Sequence, residues 1–217
     1  MKMIKMSLLK RAPLFVALLL LAASLAGASD YEPSFEVTEK RWKKLKAGEV
    51  LVTERVIEGE GNRKKLRFIA TAHISAPPES VWKTIRDYDH YHEFIPRLKE
   101  SELLKTEGRC MFIRYLGEVF WVEVEYYIKA CAEVPGKRVD FGLAEGYESF
   151  MKSADGFWEV QKAPDGKTAI VSYSAHLDPG VPVPDFISRK VARDSLVNVL
   201  QNVTKRVESG GKWKKED

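Results

Sequence analysis

The sequence predicts an α+β fold in which one curved antiparallel sheet wraps around a long C-terminal helix. Between residues 100 and 178, apolar and polar residues alternate with a period of two, which is typical of strands with one buried face. Residues 186–209 instead carry an apolar stripe at helical spacing, formed by Ala192, Leu196, Val199, Leu200, Val203 and Val207. A strand pair and a helix precede the alternating strands, and this order favours helices segregated on an antiparallel sheet.

The N-terminal segment has the three parts of a secretory signal. Four basic residues among the first 11 precede an uncharged apolar stretch, and the small residues Ala26-Gly27-Ala28 fit a cleavage site. We expect cleavage after Ala28, so that residues 1–28 are removed and the mature protein is periplasmic or secreted. The alternative is an uncleaved anchor, because residues 12–29 are uncharged and lie at the lower edge of the length that spans a bilayer.

The charge balance argues against nucleic-acid binding. The chain has 35 Lys and Arg residues and 31 Asp and Glu residues, and removal of the four basic residues of the signal leaves 31 of each sign. A mature chain without a clustered basic surplus has little means of neutralising phosphates. Its length suits a single domain that buries a core without help from disulfides or metals.

The first part of the mature chain predicts a short helix, a strand pair and a second helix. The charged segment 38–46 is followed by Gly48, a usual helix stop. Two extended segments, 48–59 and 64–75, flank a Gly-Asn turn. Pro77-Pro78 then stops the second strand and begins a helix that ends near Asp89. We assign residues 29–64 to the N-terminal helix and first strand, 65–209 to the main domain and 210–217 to a disordered tail.

Later strands are predicted over 109–116, 119–130, 138–144, 147–153, 157–162 and 168–177. A turn at Gly117-Glu118 would pair Ile113 with Val122 and Cys110 with Glu125. Cys131 would then lie roughly 20 Å from Cys110, at about 3.3 Å per residue. A disulfide tolerates a Cα separation of only about 7 Å, so the two cysteines are expected to be free thiols unless the strand register differs.

One polar cluster has the composition of a metal site. Carboxylate and imidazole groups two to five positions apart can reach one ion, and this cluster comprises Asp87, Asp89, His90, His92 and Glu93. The favoured interpretation is a solvated helix end that turns Tyr88, Tyr91 and Phe94 inward. No metal is therefore expected.

Strand parity sends the candidate acid and base groups to the polar face of the sheet. They are His73, His176, Glu123 and Glu125. The apolar face offers only tyrosines as titratable groups, namely Tyr115, Tyr126 and Tyr173. A chamber on that face would lack an acid and base pair, which is a poor arrangement for a hydrolase.

Two motifs resemble a known family. Residues 76–82 (APPESVW) are followed by Asp87-Tyr88 and by residues 91–96 (YHEFIP). Together they resemble the signature that opens START-like (SRPBCC) domains of the polyketide cyclase and coenzyme Q-binding group. Residues 194–200 resemble the terminal helix of the same superfamily, and the resemblance covers about residues 65–208. His92 stands where the family usually has proline.

The resemblance implies a helix-grip fold with a cavity between the sheet and the terminal helix. Members of the superfamily bind lipids, sterols, quinones or polyketides, and a minority are enzymes. We therefore predict an exported, non-enzymatic carrier of a hydrophobic small molecule. The expected wall residues are Met111, Ile113, Tyr115, Val122, Val124, Tyr126, Phe141, Trp158, Tyr173, Leu196 and Leu200, with Arg189 at the mouth to hold a polar or anionic head group.

Two other hypotheses stay open at this point. A cyclase or aromatase-like enzyme would use the same cavity with a tyrosine as acid, and an interaction protein would have a filled interior. The carrier interpretation expects no cofactor, no nucleic acid and a monomer. It also allows a transient membrane contact through the tail residues Lys212, Trp213, Lys214 and Lys215, because three charges supply roughly 3 kcal/mol at an anionic surface.

Overall fold

The computed structural model describes residues 33–58, 64–119, 122–178, 180 and 185–216. The predicted signal peptide and the predicted Gly61-Asn62 turn lie outside these residues. The helices are α1 (Glu39–Lys46), α2 (Pro78–Ile85) and α3 (Asp185–Glu208), and a 3-10 helix, Tyr88–Glu93, follows α2. The strands are β1 (Leu51–Glu58), β2 (Lys64–Ile74), β3 (Leu98–Glu107), β4 (Cys110–Val119), β5 (Val122–Val134), β6 (Arg138–Leu143), β7 (Ser153–Lys162) and β8 (Ala169–Asp178).

The eight strands form one open antiparallel sheet that curves around α3. Their order is β1-β2-β8-β7-β6-β5-β4-β3, so the two edges are β1 and β3. Helix α3 packs over β2 and β8, α2 packs beside it, and the 3-10 helix packs on β3. This arrangement confirms the predicted helix-grip class. Among the described residues, no helix is long and apolar enough to cross a membrane.

The main core lies between the concave face of the sheet and α3. Leu196, Leu200 and Val203 on the predicted stripe of α3 are almost fully buried. They belong to the same cluster as Ile74 and Val171 from the strands beneath. The period-two alternation of the strands and the helical stripe therefore meet as predicted, and their burial supplies the main stabilisation of the fold.

A smaller core covers part of the opposite face. Leu45 of α1 and Phe35 pack with Ile170 and Ala163. The carboxylate of Glu159 is fully buried on this side, and both of its oxygens accept hydrogen bonds from the backbone N–H of Ser34 at 3.0 Å. The alternation of residues predicts that the convex face of the sheet is exposed to solvent. This face is nevertheless buried where α1 and the segment before it cover the strands.

The β4–β5 hairpin corrects the predicted register and the state of the cysteines. The chain reverses between Val119 and Val122, three residues later than predicted, so Ile113 pairs with Ile128. The same register places Cys110 directly opposite Cys131, with Cα atoms 4.0 Å apart, and a disulfide joins them. The prediction of free thiols was wrong because it depended on the turn position.

Two other strand predictions change. Residues 98–107 form β3, which was not assigned as a separate strand because its side chains are mostly exposed and lack a clear alternation. The predicted strand over 147–153 is absent from the described structure, where turns and bends connect β6 to Ser153. Most of the other element boundaries agree within a few residues.

The C-terminal tail, predicted to be disordered, packs on the segment that follows α2. Trp213 is partly buried against the main core. The backbone N–H of Lys215 donates to the carbonyl of Glu93 at 2.8 Å, and its ammonium donates to the carbonyls of Ile95 and Leu98. The Glu93 carboxylate accepts from Arg206 Nη2 at 2.6 Å and from Lys214 Nζ at 2.7 Å. These contacts tie the tail and the end of α3 to the 3-10 helix.

Replacement of both cysteines by serine should lower the free energy of unfolding by about 2–4 kcal/mol, because the bridge restricts the unfolded chain. Urea denaturation followed by tryptophan fluorescence measures the difference. A reducing agent should weaken the wild-type protein and leave the double variant unchanged. Equal stability of the two proteins under oxidising conditions would contradict a structural bridge.

Glu93→Gln should destabilise the protein at neutral pH and have little effect in acid. Hydrogen bonds from Lys214 and Arg206 lower the pKa of Glu93 in the folded protein. A lowered folded pKa contributes stability that is fully present above the ordinary value of 4.5 and is lost as the pH falls through the folded pKa. Melting temperatures measured from pH 7 to pH 3 should therefore converge for the variant and the wild type. Glu145→Gln, at an exposed turn, is the control and should track the wild type throughout; a Glu93→Gln deficit that does not change with pH would refute the ion-pair explanation.

Candidate functional site

Strand parity places a set of aromatic rings on the concave face. Tyr115 of β4 lies opposite Tyr126 of β5, and Trp158 of β7 lies opposite Tyr173 of β8. The rings of Trp158 and Tyr173 stack with centroids 4.0 Å apart, and those of Tyr115 and Tyr126 lie 5.5 Å apart. Two pairs of neighbouring strands, on either side of β6, thus contribute aromatic rings to the concave face.

Phe141 joins this surface because its partner on β7 has no side chain. It pairs with Gly156, where a Cβ atom would come within 2.4 Å of the Phe141 ring and 2.1 Å of the carbonyl oxygen of Ser174. Any larger residue at position 156 would displace the ring or the strand. Gly156 therefore allows the aromatic surface to continue from β6 across β7.

These rings line an inner chamber of about 80 Å³. Of the 13 described residues that line it, seven are aromatic and the other six are aliphatic. The lining is Tyr88, Tyr91, Ile95, Leu98, Tyr115, Tyr126, Ile128, Ala130, Phe141, Trp158, Tyr173, Ala175 and Leu177. The described lining is thus apolar and aromatic, and its polar side-chain groups are tyrosine hydroxyls and the indole N–H.

A wider outer chamber of about 440 Å³ lies next to it, between the sheet and α3. Leu196, Val199 and Ala192 line its helix side, and Phe68 and Leu66 line its β2 side. The two chambers share the wall residues Ile95, Leu98, Tyr126, Tyr173, Ala175 and Leu177. A volume of this size is within the usual range for small-molecule sites.

Among the described residues that line the two chambers, the ionisable side chains other than tyrosine belong to the outer one. Arg67, Arg97, Glu118, His176, Asp178 and Arg189 contribute to its lining. Arg67 is paired with Asp155, and the side chain of Arg189 is exposed. The lining therefore changes from charged and solvated in the outer chamber to apolar and aromatic in the inner one.

Burial keeps the inner tyrosines protonated. It raises the pKa of Tyr88, Tyr126 and Tyr173 far above 10, and it raises the pKa of Tyr91 and Tyr115 further with help from neighbouring tyrosines. Neutral hydroxyls can donate hydrogen bonds to a ligand. At neutral pH they are poor proton acceptors and weak acids.

Seven of the predicted site residues line the chambers. Tyr115, Tyr126, Phe141, Trp158 and Tyr173 line the inner one, and Arg189 and Leu196 line the outer one, which Tyr126 and Tyr173 also share. Four others lie outside both chambers and are buried in the protein: Met111, Ile113, Val124 and Leu200. Val122 does not line either chamber as predicted, because its side chain is 52% exposed at the start of β5.

The sequence prediction missed the contribution of the segment after α2. Tyr88, Tyr91, Ile95 and Leu98 line the inner chamber from this segment. The predicted inward orientation of Tyr88 and Tyr91 was correct, since both are buried. The inward orientation of these two tyrosines could be predicted from the sequence, but it did not indicate that their rings line a cavity.

None of the four candidate acid and base groups lines the inner chamber, although His176 lines the outer one. His73 is on the convex side, where its Nε2 hydrogen bonds with Thr168 at 2.9 Å. Glu123 pairs with Lys99, and Glu125 pairs with Arg114. His176 is exposed and lines the outer chamber.

The polar cluster around Asp87 is engaged in protein contacts. Asp87 pairs with His90 at 2.7 Å, and Asp89 accepts a hydrogen bond from the backbone N–H of Leu103. Glu93 binds the C-terminal tail, as described above. Within the described residues, no three His, Cys, Asp or Glu side chains are placed to hold one metal ion.

The sequence matches a protein-family model described as polyketide cyclase / dehydrase and lipid transport over residues 74–204, which is more than half of the chain. The chain belongs to this family. The match spans the segment from the end of β2 to the last turns of α3, and it includes all the sheet elements of the inner chamber. No significant relative was found among curated proteins.

Solved structures with the same fold include proteins of both kinds that the family's description names. A STAR-related lipid transfer protein from Xanthomonas axonopodis is 20% identical, with a TM-score of 0.60, and the match covers 73% of this chain and 93% of that one. The Zhui aromatase/cyclase from Streptomyces sp. R1128 is 14% identical, with a TM-score of 0.52 and coverage of 74% and 94%. A START superfamily protein from Mycobacterium smegmatis is 15% identical, with a TM-score of 0.57 and coverage of 65% and 96%. At these identities the likeness shows the shared fold.

Arg189→Ala should weaken the binding of an apolar ligand with an anionic head and leave the melting temperature unchanged. The exposed guanidinium in the lining of the outer chamber can pair with a carboxylate, while its removal disturbs no buried contact. Competition titrations with a long-chain fatty acid and its methyl ester should show loss of affinity for the acid alone. Lys190→Ala is the matched control, since Lys190 is also exposed and lies outside both chambers. Unchanged affinity of Arg189→Ala for the acid would discard this role.

Proposed function

We propose that the protein is exported and carries a hydrophobic small molecule in the two adjacent chambers between the sheet and α3. The observation that carries the proposal is the outer chamber of about 440 Å³, which shares six wall residues with an aromatic inner chamber. Burial of an apolar ligand there would stabilise the complex by about 25 cal/mol for each Å² removed from water. The family description, which names lipid transport, supports the same class of ligand.

The interior supports binding more strongly than catalysis. A cyclase-like reaction needs a group that accepts or donates a proton at the reacting atom. The inner chamber is lined by tyrosines, and burial raises the pKa values of their hydroxyls. The histidine and carboxylates that line the outer chamber do not line the inner one. A neutral tyrosine can orient a ligand oxygen, which a carrier requires as much as an enzyme.

Two observations support export. The N-terminal segment has the basic, apolar and small-residue parts of a secretory signal. The disulfide between Cys110 and Cys131 is of a kind that forms and persists in oxidising compartments. The carrier would then work in the periplasm or outside the cell.

The test is native mass spectrometry of the protein purified from the envelope fraction of its natural host, with organic extraction of any bound compound. We expect a chain lacking residues 1–28 and a stoichiometric apolar molecule. Ala175→Trp should lose this molecule, because Ala175 lines both chambers and an indole there would fill their junction. Ala47→Trp, at the exposed end of α1, is the matched control and should retain it.

Two results would overturn the proposal. Recovery of the full-length chain from the cytoplasm alone would refute export. An empty wild-type protein that also takes up no apolar fluorescent probe, or an Ala175→Trp variant that binds as well as the wild type, would refute the cavity as a carrier site.

A further inference from the structure

The turn between the 3-10 helix and β3 forms part of the cavity wall. Ile95, Pro96, Arg97 and Leu98 all line the outer chamber, and Ile95 and Leu98 line the inner one as well. A movement of this short segment would therefore change the shape of both chambers and open a way into them.

The backbone of this turn is strained. Arg97, with a φ of 61°, is the one non-glycine residue with a positive φ among the described residues. The left-handed conformation is unfavourable for residues with a Cβ atom, because that atom approaches the backbone too closely. Such a conformation persists only where the surrounding contacts impose it. The turn therefore depends on its neighbours for its observed shape.

Lys215 of the C-terminal tail bridges the two ends of this turn. Its ammonium donates to the carbonyl oxygen of Ile95 at 3.0 Å and to that of Leu98 at 2.6 Å. Its backbone N–H donates to the carbonyl of Glu93 at 2.8 Å. One lysine thus holds the backbone on both sides of the strained residue.

The tail has the local structure needed to reach this position. Gly210 and Gly211 have positive φ values of 66° and 83°, so the chain turns back at the end of α3. The Ser209 hydroxyl oxygen then accepts hydrogen bonds from the backbone N–H groups of Lys212 and Trp213. Many contacts of the tail are hydrogen bonds at or near the surface, and segments held in this way open more readily than a packed core.

We infer that the C-terminal tail is a latch on the cavity wall, and that Lys215 sets how often residues 95–98 move aside to admit or release a hydrophobic ligand. This inference rests on the proposed carrier function and adds the step that regulates ligand exchange. While Lys215 is bound, the turn keeps the shape that lines both chambers. When Lys215 detaches, relief of the strain at Arg97 favours movement of the turn. Lys215 is a positioning residue, because it acts through the carbonyls of the turn and lines neither chamber.

A latch of this kind has a kinetic signature. If ligand exchange requires the open form, loss of the Lys215 ammonium raises the population of that form. The association and dissociation rate constants then rise by the same factor. The dissociation constant stays the same, because the latch closes equally well over an empty and a filled cavity.

The test is stopped-flow fluorescence with the neutral apolar probe N-phenyl-1-naphthylamine, with empty phospholipid vesicles as the acceptor for dissociation. Lys215→Met should raise both rate constants by about tenfold, the effect of losing the hydrogen bonds of one charged donor. The dissociation constant should stay within about twofold of the wild type, since both rates change together. A purely structural lysine would lower the melting temperature and leave both rate constants unchanged, and that result would overturn the inference.

Lys212→Met is the matched control. Lys212 lies in the same tail and its side chain is exposed, so both rate constants should match those of the wild type. Wild-type rates in Lys215→Met, an equal increase in Lys212→Met, or a change confined to the dissociation rate would each overturn the latch. In these three cases the probe still binds, and the carrier proposal stands. If the wild type does not bind the probe, the carrier proposal falls and this inference falls with it.

Discussion

The structure depends on a mismatch between the width of the sheet and the width of one helix. An α-helix with its side chains is about 10–12 Å across, and strands lie about 4.8 Å apart, so one helix covers roughly two strands. Helix α3 packs on β2 and β8, and the 3-10 helix packs on β3 at the far edge. Helix α2 packs on β7, and the concave faces of β4 to β6 lie between these covers. Large aromatic side chains reduce the space there, and the inner chamber is what remains.

The same mismatch explains why core residues and cavity-lining residues show the same alternating pattern along the strands. Parity assigns a side chain to the concave face, but it does not say whether another element fills the space opposite. Ile113 and Leu200 have the predicted orientation and are fully buried in the core. Tyr115 is the next residue on the same face of β4 after Ile113, and it lines the inner chamber. Depth along the strand and the position of the covering helix decide between these outcomes, and both are properties of the tertiary structure.

The predicted face of each residue in β4 and β5 was correct even though the predicted register was wrong. The predicted and observed reversals of the β4–β5 hairpin differ by three residues, and in both cases odd-numbered residues of β4 pair with even-numbered residues of β5. The face of each residue was therefore correct while its partner was not. Cysteine pairing depends on the partner, so the disulfide could not be recovered from alternation. Gly117-Glu118 has the composition of a turn, and local composition gave no reason to place the reversal after Val119.

Contacts between distant segments were the hardest to predict. The tail has a Gly-rich start and a charged end, a composition typical of disorder, yet it is held by Glu93 and by backbone carbonyls about 120 positions earlier. Strand β3 has little alternation because most of its side chains are exposed at the edge of the sheet. Both elements contact the segment that contains the 3-10 helix. The sequence therefore predicts the two main layers well and the packing around this segment poorly.

This segment links the stability of the fold to the cavity. Tyr88 and Tyr91 line the inner chamber, while Glu93 of the same 3-10 helix is bound by Arg206 of α3 and Lys214 of the tail. The side chain of Arg206 is buried, and its guanidinium also lies over the ring of Phe94. A buried ion pair is weak evidence for net stability, but removal of one partner strands the other charge. The pair therefore acts chiefly to fix the position of the 3-10 helix against α3. The 3-10 helix forms part of the wall of the inner chamber. The shape of the chamber therefore depends on the contacts that Glu93 makes on the other side of this helix.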